Sequence, residues 1–363
     1  MLLVGLSIGT TFLVSAWLTR GLRAPPSALW VLDHPNRRSL HELPRQRTGG
    51  LAILSSFLVG ALLSTWVGQS AWAGEGLVAA TSGLVSWESL ALGVAVLLVA
   101  TVSFWDDRWG VPPLWRLAVQ GVATVSVLVT GLGLSDVPVP MVGTLNLGVF
   151  ALPVTLLFVL WMSNLFNFMD GMDGLAAGMA VFGFVCLGMI VFAHGSLELA
   201  LLCGLLAAAS GGFLVSNLPP ALLFMGDVGS VSLGFLVAVL ALRAIQQGAC
   251  DIWVPVLVFS PFIVDTTVVL ARRLLRGARL WEAHREHAYQ RLVLSGWSHQ
   301  RTLRAEYCLM MASGVAAVIY ARAAGELARV VVLVTVALGY AALLVGVSRV
   351  EVVRHGRKMH GQV

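Results

Sequence analysis

Four short segments of this 363-residue chain hold carboxylates, amides and imidazoles at spacings that could do chemistry. Asp106 and Asp107 are adjacent carboxylates, which repel unless a cation lies near. Asn164, Asn167, Asp170 and Asp173 recur every third residue. On a helix that spacing gives one face, and a row of amide and carboxylate oxygens suits a hard cation such as magnesium. In Phe224-Met225-Gly226-Asp227-Val228-Gly229-Ser230 two glycines bracket an acid, so the backbone can approach a ligand. The N–H groups that open the next helix favour an anion such as phosphate. His284 and His287 lie in the sequence from Trp281 to Leu292, which reads either as an amphipathic helix on the interface or as a basic arm closing over a diphosphate. Zinc would need further ligands, and only the remote His299 is on offer.

Such groups must be carried by something, and the composition says what. Hydrophobic residues make up 58% and charged residues 11%, with a mean hydropathy of +0.87. Eleven apolar runs of spanning length fall near 2–19, 49–67, 89–105, 114–132, 150–167, 174–193, 197–215, 230–247, 252–271, 305–321 and 328–348. They lack the ten-residue alternation of barrel strands. The expected fold is an all-α polytopic membrane protein of about eleven helices. It forms one domain over 1–363, with loops near 20–48, 106–113, 168–173, 216–229 and 272–304 on the cytoplasmic side. The first run has no basic residues before it, unlike a cleaved signal, and reads as a first span with its N-terminus outside. Eleven spans put 20 of the 23 Lys and Arg on one side; Arg243, Arg322 and Arg329 fall on the other. By the positive-inside rule that side is cytoplasmic. The net charge of +5 therefore belongs to loops facing anionic lipid or substrate, not to a nucleic-acid surface. Cys186, Cys203, Cys250 and Cys308 form no CxxC pair and imply no disulfide framework.

Taken together, the segments resemble the polyprenyl-phosphate N-acetylhexosamine-1-phosphate transferases, collinearly from about Asp33 to Leu303. The family's D-x-P-N…R…H…P…R-x-G-G pattern is met by Asp33, Pro35, Asn36, Arg38, His41, Pro44, Arg47, Gly49 and Gly50. Its DD pair is Asp106-Asp107, with Gln120 on the next helix. Its N-x-x-N-x-x-D-G-x-D-G-L-A runs from Asn164 to Ala176, and its G-F-L-x-x-N-x-P-P-A…F-M-G-D-x-G-S from Gly212 to Ser230. Val264-Asp265-Thr266 and Arg272-Arg273 match its V-D-T and R-R. One departure stands out. Many members carry H-x-H-H-R-L where this chain has His287-Ala288-Tyr289-Gln290-Arg291-Leu292. That form is similar to an O-antigen-initiating branch and unlike the peptidoglycan enzyme, whose loop has three histidines.

The resemblance implies a magnesium-dependent reaction, with manganese as a substitute, between a UDP-N-acetylhexosamine and undecaprenyl phosphate in the bilayer, with a second copy of the chain as partner. It implies Asp227 and Asn167 as metal ligands with Asp107 nearby, and Asp106 orienting or deprotonating the lipid phosphate. His287 and Arg291 would hold the diphosphate, and Asn164, Asp170 and Asp173 would line the nucleotide site. Phe224 would stack on uracil or serve as a core residue, and Arg38 and Arg47 would contact phosphate. A GlcNAc-1-phosphate transferase of the common-antigen or teichoic-acid type is the nearest alternative. An anionic-solute transporter would instead bind at the midplane between paired repeats, whereas these acids cluster at helix ends and no repeat is visible. A non-catalytic scaffold would not need the full acidic set.

Overall fold

The computed structural model describes residues 2–23, 31–33, 44–69, 78, 81–279 and 284–360. Its helices are α1 (Leu2–Leu22), α2 (Gly49–Gly68), α3 (Trp87–Trp109), α4 (Pro113–Leu128), α5 (Ala151–Met169), α6 (Leu175–Ala193), α7 (Leu197–Asn217), α8 (Gly226–Gln246), α9 (Trp253–Val258), α10 (Ser260–Leu275), α11 (Ala288–Leu294), α12 (His299–Arg322) and α13 (Glu326–His360). Two small antiparallel pairs join β1 (Leu32–Asp33) to β2 (Arg45–Gln46) and β3 (Asp136–Val139) to β4 (Gly143–Asn146).

Nine helices among the described residues are long and apolar enough to cross a membrane: α1, α2, α3, α5, α6, α7, α8, α12 and most of α13. The other two expected runs differ. The run near 114–132 is α4, a helix of 16 residues, about 24 Å at the usual rise and short of the ~30 Å hydrocarbon core. The run near 252–271 breaks at Phe259 into α9 and α10, with Pro261 in the first turn of α10, where its missing N–H is tolerated.

Lipid tails are as apolar as leucine, so helices in a bilayer associate through close contact of small side chains and through hydrogen bonds. The packing here follows that rule. The hub is α8, whose spanning stretch is 89% buried. It packs against α2, α3 and α5. A Cβ on Gly234 would lie 2.3 Å from the Met162 carbonyl of α5, and one on Gly50 of α2 would lie 2.1 Å from the Gly229 nitrogen of α8. On α1, Ser7, Thr11, Ser15 and Thr19 form a buried stripe at four-residue steps. Ser15 Oγ donates to the Ala209 carbonyl of α7 at 2.6 Å, and Thr11 and Thr19 donate to carbonyls one turn back. The large residues Leu13, Trp17, Leu62 and Leu97 face outward.

The loops gather at two ends. At one, Gln246 Nε2 donates to the Gly131 carbonyl at 3.0 Å, Trp253 Nε1 to the Pro138 carbonyl at 2.6 Å, and Tyr320 Oη to Asp251 at 2.9 Å. The other end holds the acidic motifs.

Gly50→Ala should lower stability by about 1–3 kcal/mol, the usual cost of overpacking. Gly5→Ala, whose Cβ meets nothing within 4 Å, should not. Thermal melting of both variants in detergent checks this.

Candidate active site

The site begins where α3 ends. Asp107, in the last turn of α3, is 3% exposed. Its carboxylate accepts the Asp227 N–H at 3.1 Å and the Val228 N–H at 3.2 Å. These belong to the first turn of α8, whose N–H groups have no partner within their own helix. A phosphate was the expected occupant; a carboxylate of the chain itself fills that place instead. Arg47 closes the arrangement. Its Nε lies 3.4 Å from Asp107 Oδ1, its Nη2 donates to the Asp107 carbonyl, and its Nη1 lies 3.7 Å from Asp33. The glycines around it are packing devices as much as ligand approaches. Gly226 has φ +73°, and a Cβ there would meet the Arg47 carbonyl at 2.5 Å. Gly49 and Gly50 donate their N–H groups to the Phe224 and Met225 carbonyls at 2.9 and 2.8 Å, and Phe224 donates its own to Gln46.

Asp106 is differently held. Oδ1 accepts the Val111 N–H at 2.7 Å, and Oδ2 accepts Nη1 of Arg116 from the first turn of α4. The same nitrogen lies 3.3 Å from Asp227 Oδ2. Asn167 Nδ2 then donates to Asp227 Oδ1 at 2.8 Å and to Ser230 Oγ at 3.1 Å. Asp106, Arg116, Asp227 and Asn167 thus form one chain of contacts, more open than Asp107, with side-chain exposures of 11%, 31% and 18% for the first three. Trp105, Trp109 and Trp115, its neighbours in the sequence, are exposed. Tryptophan concentrates at the membrane–water boundary, so three of them at these helix ends suit a cluster near headgroup depth.

The four residues at three-residue steps do not converge as one ligand face. The helix ends at Met169, with Asp170 as its C-cap, so only the first two lie on it. Asn164 Nδ2 donates to Gln120 Oε1 of α4 at 2.8 Å. Asp173 Oδ2 accepts the Ala221 N–H at 2.9 Å, and Asn217 bonds both Gly174 N–H and the Leu223 carbonyl at 2.9 Å. Asp173 and Asn217 therefore stitch the loop after α5 to the loop before α8. Burial first, then the charges of Asp227, Asp107, Asp173 and Asp33, push the Asp170 carboxyl well above its ordinary range. The site carries more negative charge than its arginines offset.

Beyond it lies the arm before α11. Asp265 of α10 accepts the Ala288 N–H at 3.0 and 3.1 Å on its two oxygens and lies 3.6 Å from His287 Nδ1. His287 is 2% exposed and stacks on Tyr289 with centroids 5.8 Å apart. A Cβ on Gly171 would meet the Tyr289 hydroxyl at 2.2 Å, so the arm abuts the loop that holds Asp170. The helix is short and buries Tyr289, Gln290 and Leu292, rather than lying solvated on the interface. Arg291 is turned from the acids. Its Nε and Nη2 donate to the two Glu351 oxygens of α13 at 2.8 and 2.5 Å. Arg38, with Pro35, Asn36 and His41, lies outside the described residues, as do Trp281 to Ala283.

Comparison with known proteins fits this layout. Residues 89–245 match the family model for glycosyl transferase family 4. The decaprenyl-phosphate N-acetylglucosaminephosphotransferase of Mycobacterium tuberculosis is 31% identical over 330 residues, covering 83% of this chain and 78% of its own. The chain belongs to the polyprenyl-phosphate hexosamine-1-phosphate transferase family. A probable undecaprenyl-phosphate N-acetylglucosaminyl 1-phosphate transferase of Bacillus subtilis is 27% identical, with 80% and 77% of the two chains covered. A phospho-N-acetylmuramoyl-pentapeptide-transferase of Halalkalibacterium halodurans is 29% identical, with 70% and 77% covered.

Within this transferase chain, Arg116 belongs to none of the sequence motifs, yet it bridges Asp106 and Asp227. The hint available was its place in the first turn after Pro112-Pro113, four residues before Gln120. Glu351 was also missed, because nothing local marks it as the partner of Arg291.

Asp107→Asn should cost about 1–3 kcal/mol of stability by putting an amide NH2 where a buried oxygen accepts a backbone N–H, and more than Asp106→Asn; melting midpoints of the two variants test the order. A second expectation concerns acid. Burial, with His287 alongside, brings His284 down to about 4 from an ordinary 6.5. The unfolded chain therefore takes up a proton that the folded arm refuses. The contribution is complete above pH 6.5 and is lost as pH falls toward 4, by at most about tenfold at pH 5.5. Protection factors over 284–294, which correct exchange for its intrinsic pH dependence, should fall between pH 7 and 5.5, and this fall should flatten in His284→Gln.

Proposed function

We propose that this chain transfers N-acetylhexosamine 1-phosphate, or a 6-deoxy form, from a UDP-sugar to undecaprenyl phosphate and releases UMP. The reaction would take place on the cytoplasmic face of the bacterial inner membrane and start a lipid-linked glycan such as O-antigen. The observation that carries this reading is the Asp106–Arg116–Asp227 bridge with Asn167 beside it. It groups carboxylate and amide oxygens with a guanidinium, a set that supports a meeting place for a membrane-bound phosphate and a soluble nucleotide. Family membership supports the same reaction class.

The donor set fits a hard divalent cation. The guanidinium between Asp106 and Asp227 stands where positive charge is wanted, and the raised Asp170 carboxyl reports the same excess of negative charge. No group of three His, Cys, Asp or Glu side chains is arranged to hold a metal among the described residues. Magnesium suits such a site, since it is commonly held by one or two carboxylates together with substrate phosphates. Asp227 and Asn167 would hold it, and bound there it would offset phosphate charge.

The chain's own residues do the rest. A carrier-phosphate oxygen bonds to the β-phosphorus of the nucleotide sugar as the bond to the α–β bridging oxygen breaks, and that electron pair leaves with UMP. A phosphomonoester has a second pKa of about 6, so the attacking oxygen is already largely ionised at neutral pH. Asp106 therefore orients rather than deprotonates. Arg116 offers N–H donors to phosphate oxygens as their charge shifts. Asp107 and Arg47 act by holding the start of α8, which fixes Asp227. Asp170 and Phe224 border the nucleotide side.

A second reading takes GlcNAc as the donor, in the common-antigen or teichoic-acid manner. It is favoured by the activities for which the Bacillus and Mycobacterium relatives are named. The His287-Ala288-Tyr289-Gln290 form of the arm favours the first.

Purified protein given undecaprenyl phosphate, magnesium and a panel of UDP-N-acetylhexosamines should release UMP only when lipid and magnesium are both present, and the best donor names the sugar. Asp106→Asn and Asp227→Asn should lose on the order of a hundredfold or more in turnover while remaining monodisperse. Full activity in a folded Asp227→Asn variant, or no UMP from any donor with folded protein, overturns the reading.

A further inference from the structure

The last helix is an odd member of the bundle. It runs for 35 residues, yet its spanning stretch is only 6% buried. At its start Glu326 accepts the Met141 N–H at 2.6 Å, and two further sets of hydrogen bonds tie it to the charged half of the bundle. Within the membrane, the Tyr340 hydroxyl lies 2.8 Å from Ser260 Oγ and 3.0 Å from Ser313 Oγ. Ser260 is the first residue after the break between α9 and α10. At the charged end, Arg291 Nη2 donates to Ser348 Oγ at 3.1 Å and, with Nε, to both Glu351 oxygens.

These ties close a circuit. α13 is fastened to the start of α10 through Tyr340. Five residues on, α10 carries Asp265, which caps α11. α11 carries Arg291, which returns to α13. Inside the circuit sit His287, Tyr289 and Gln290, against Gly171. The end of α10 is tied to the same arm: Arg273 and Arg276 both reach Glu286, at 2.7 and 3.1 Å.

We propose that Arg291 and Glu351 are a positioning pair: the last helix holds the His287–Leu292 arm at its working depth against the Asp170 loop, and Arg291 acts through Glu351 rather than on the diphosphate. Three features support this. The guanidinium presents the two-pronged edge that matches a carboxylate, and that edge is used up by Glu351. The bond to Glu351, ahead of any other cause, raises the Arg291 pKa. The second N–H of the same Nη2 goes to Ser348 Oγ on the same helix.

Hydrogen exchange on the full-length protein tests the pair without any reaction. Glu351→Gln should speed exchange over 284–294 by tenfold or more and leave α6 and α8 unchanged. Unchanged protection over 284–294 overturns the proposal. The kinetic test rests on the transferase reading, and uses UMP release from whichever donor the wild type accepts. Arg291→Gln and Glu351→Gln should each reduce kcat/KM by on the order of tenfold to a hundredfold. Their double variant should be no worse than either, as expected of two residues acting as one unit. Glu351→Asp should recover much of the loss, whereas Arg291→Lys, which lacks the fork, should not. An active Glu351→Gln beside an inactive Arg291→Gln overturns the proposal in favour of direct contact with substrate. An inactive wild type with loosened exchange in Glu351→Gln removes the functional reading and keeps the clamp.

Discussion

The Asp107 carboxylate meets the first free N–H groups of α8, and much of the charged end of the bundle depends on that meeting. The hub helix is buried along nearly its whole span, and the free N–H groups of its first turn are met by the chain itself. An acid from α3 supplies the acceptor and Arg47 supplies the countercharge. One arrangement therefore joins α3, α8 and the segment entering α2. It also divides two adjacent aspartates into different kinds of residue. Asp107 is enclosed and fully engaged, while Asp106 is turned toward Arg116 and the open side. Asp227 follows directly from the capped position, so its placement inherits the rigidity of the cap.

Packing around that centre uses small residues where a water-soluble core would use large ones. The Gly50–Gly229 contact and the Ser7–Thr11–Ser15–Thr19 stripe are what helices in lipid need in order to approach. This explains why two motif glycines that could have served a phosphate serve a backbone contact instead. Functional and structural demands meet in the same few residues here, and a spacing pattern does not separate them.

That overlap decides what could be read from the sequence. The spans were legible because length and apolarity are local properties. So was the gathering of the acidic motifs at one end, since each stands at the end of an apolar run. The break at Phe259 was hidden inside a continuous apolar run, marked only by Pro261. The three-residue rhythm from Asn164 to Asp173 suggested one face, but the helix ends at Met169, which leaves Asp173 off it, and Asn164, Asn167 and Asp173 meet three different neighbours. The Glu351 partner of Arg291 lies 60 residues away. Pairings at such range depend on how the helices fold back, and no local pattern records them.

The trio of Trp105, Trp109 and Trp115 has a consequence for how the enzyme meets its proposed lipid partner. A site at headgroup depth is reached by a bilayer-bound carrier through lateral diffusion, in two dimensions, while a nucleotide arrives from the water in three. The relevant quantity for the carrier is then its number per unit area of membrane, not its molarity in the sample. Expanding the bilayer around the protein dilutes one substrate and leaves the other untouched.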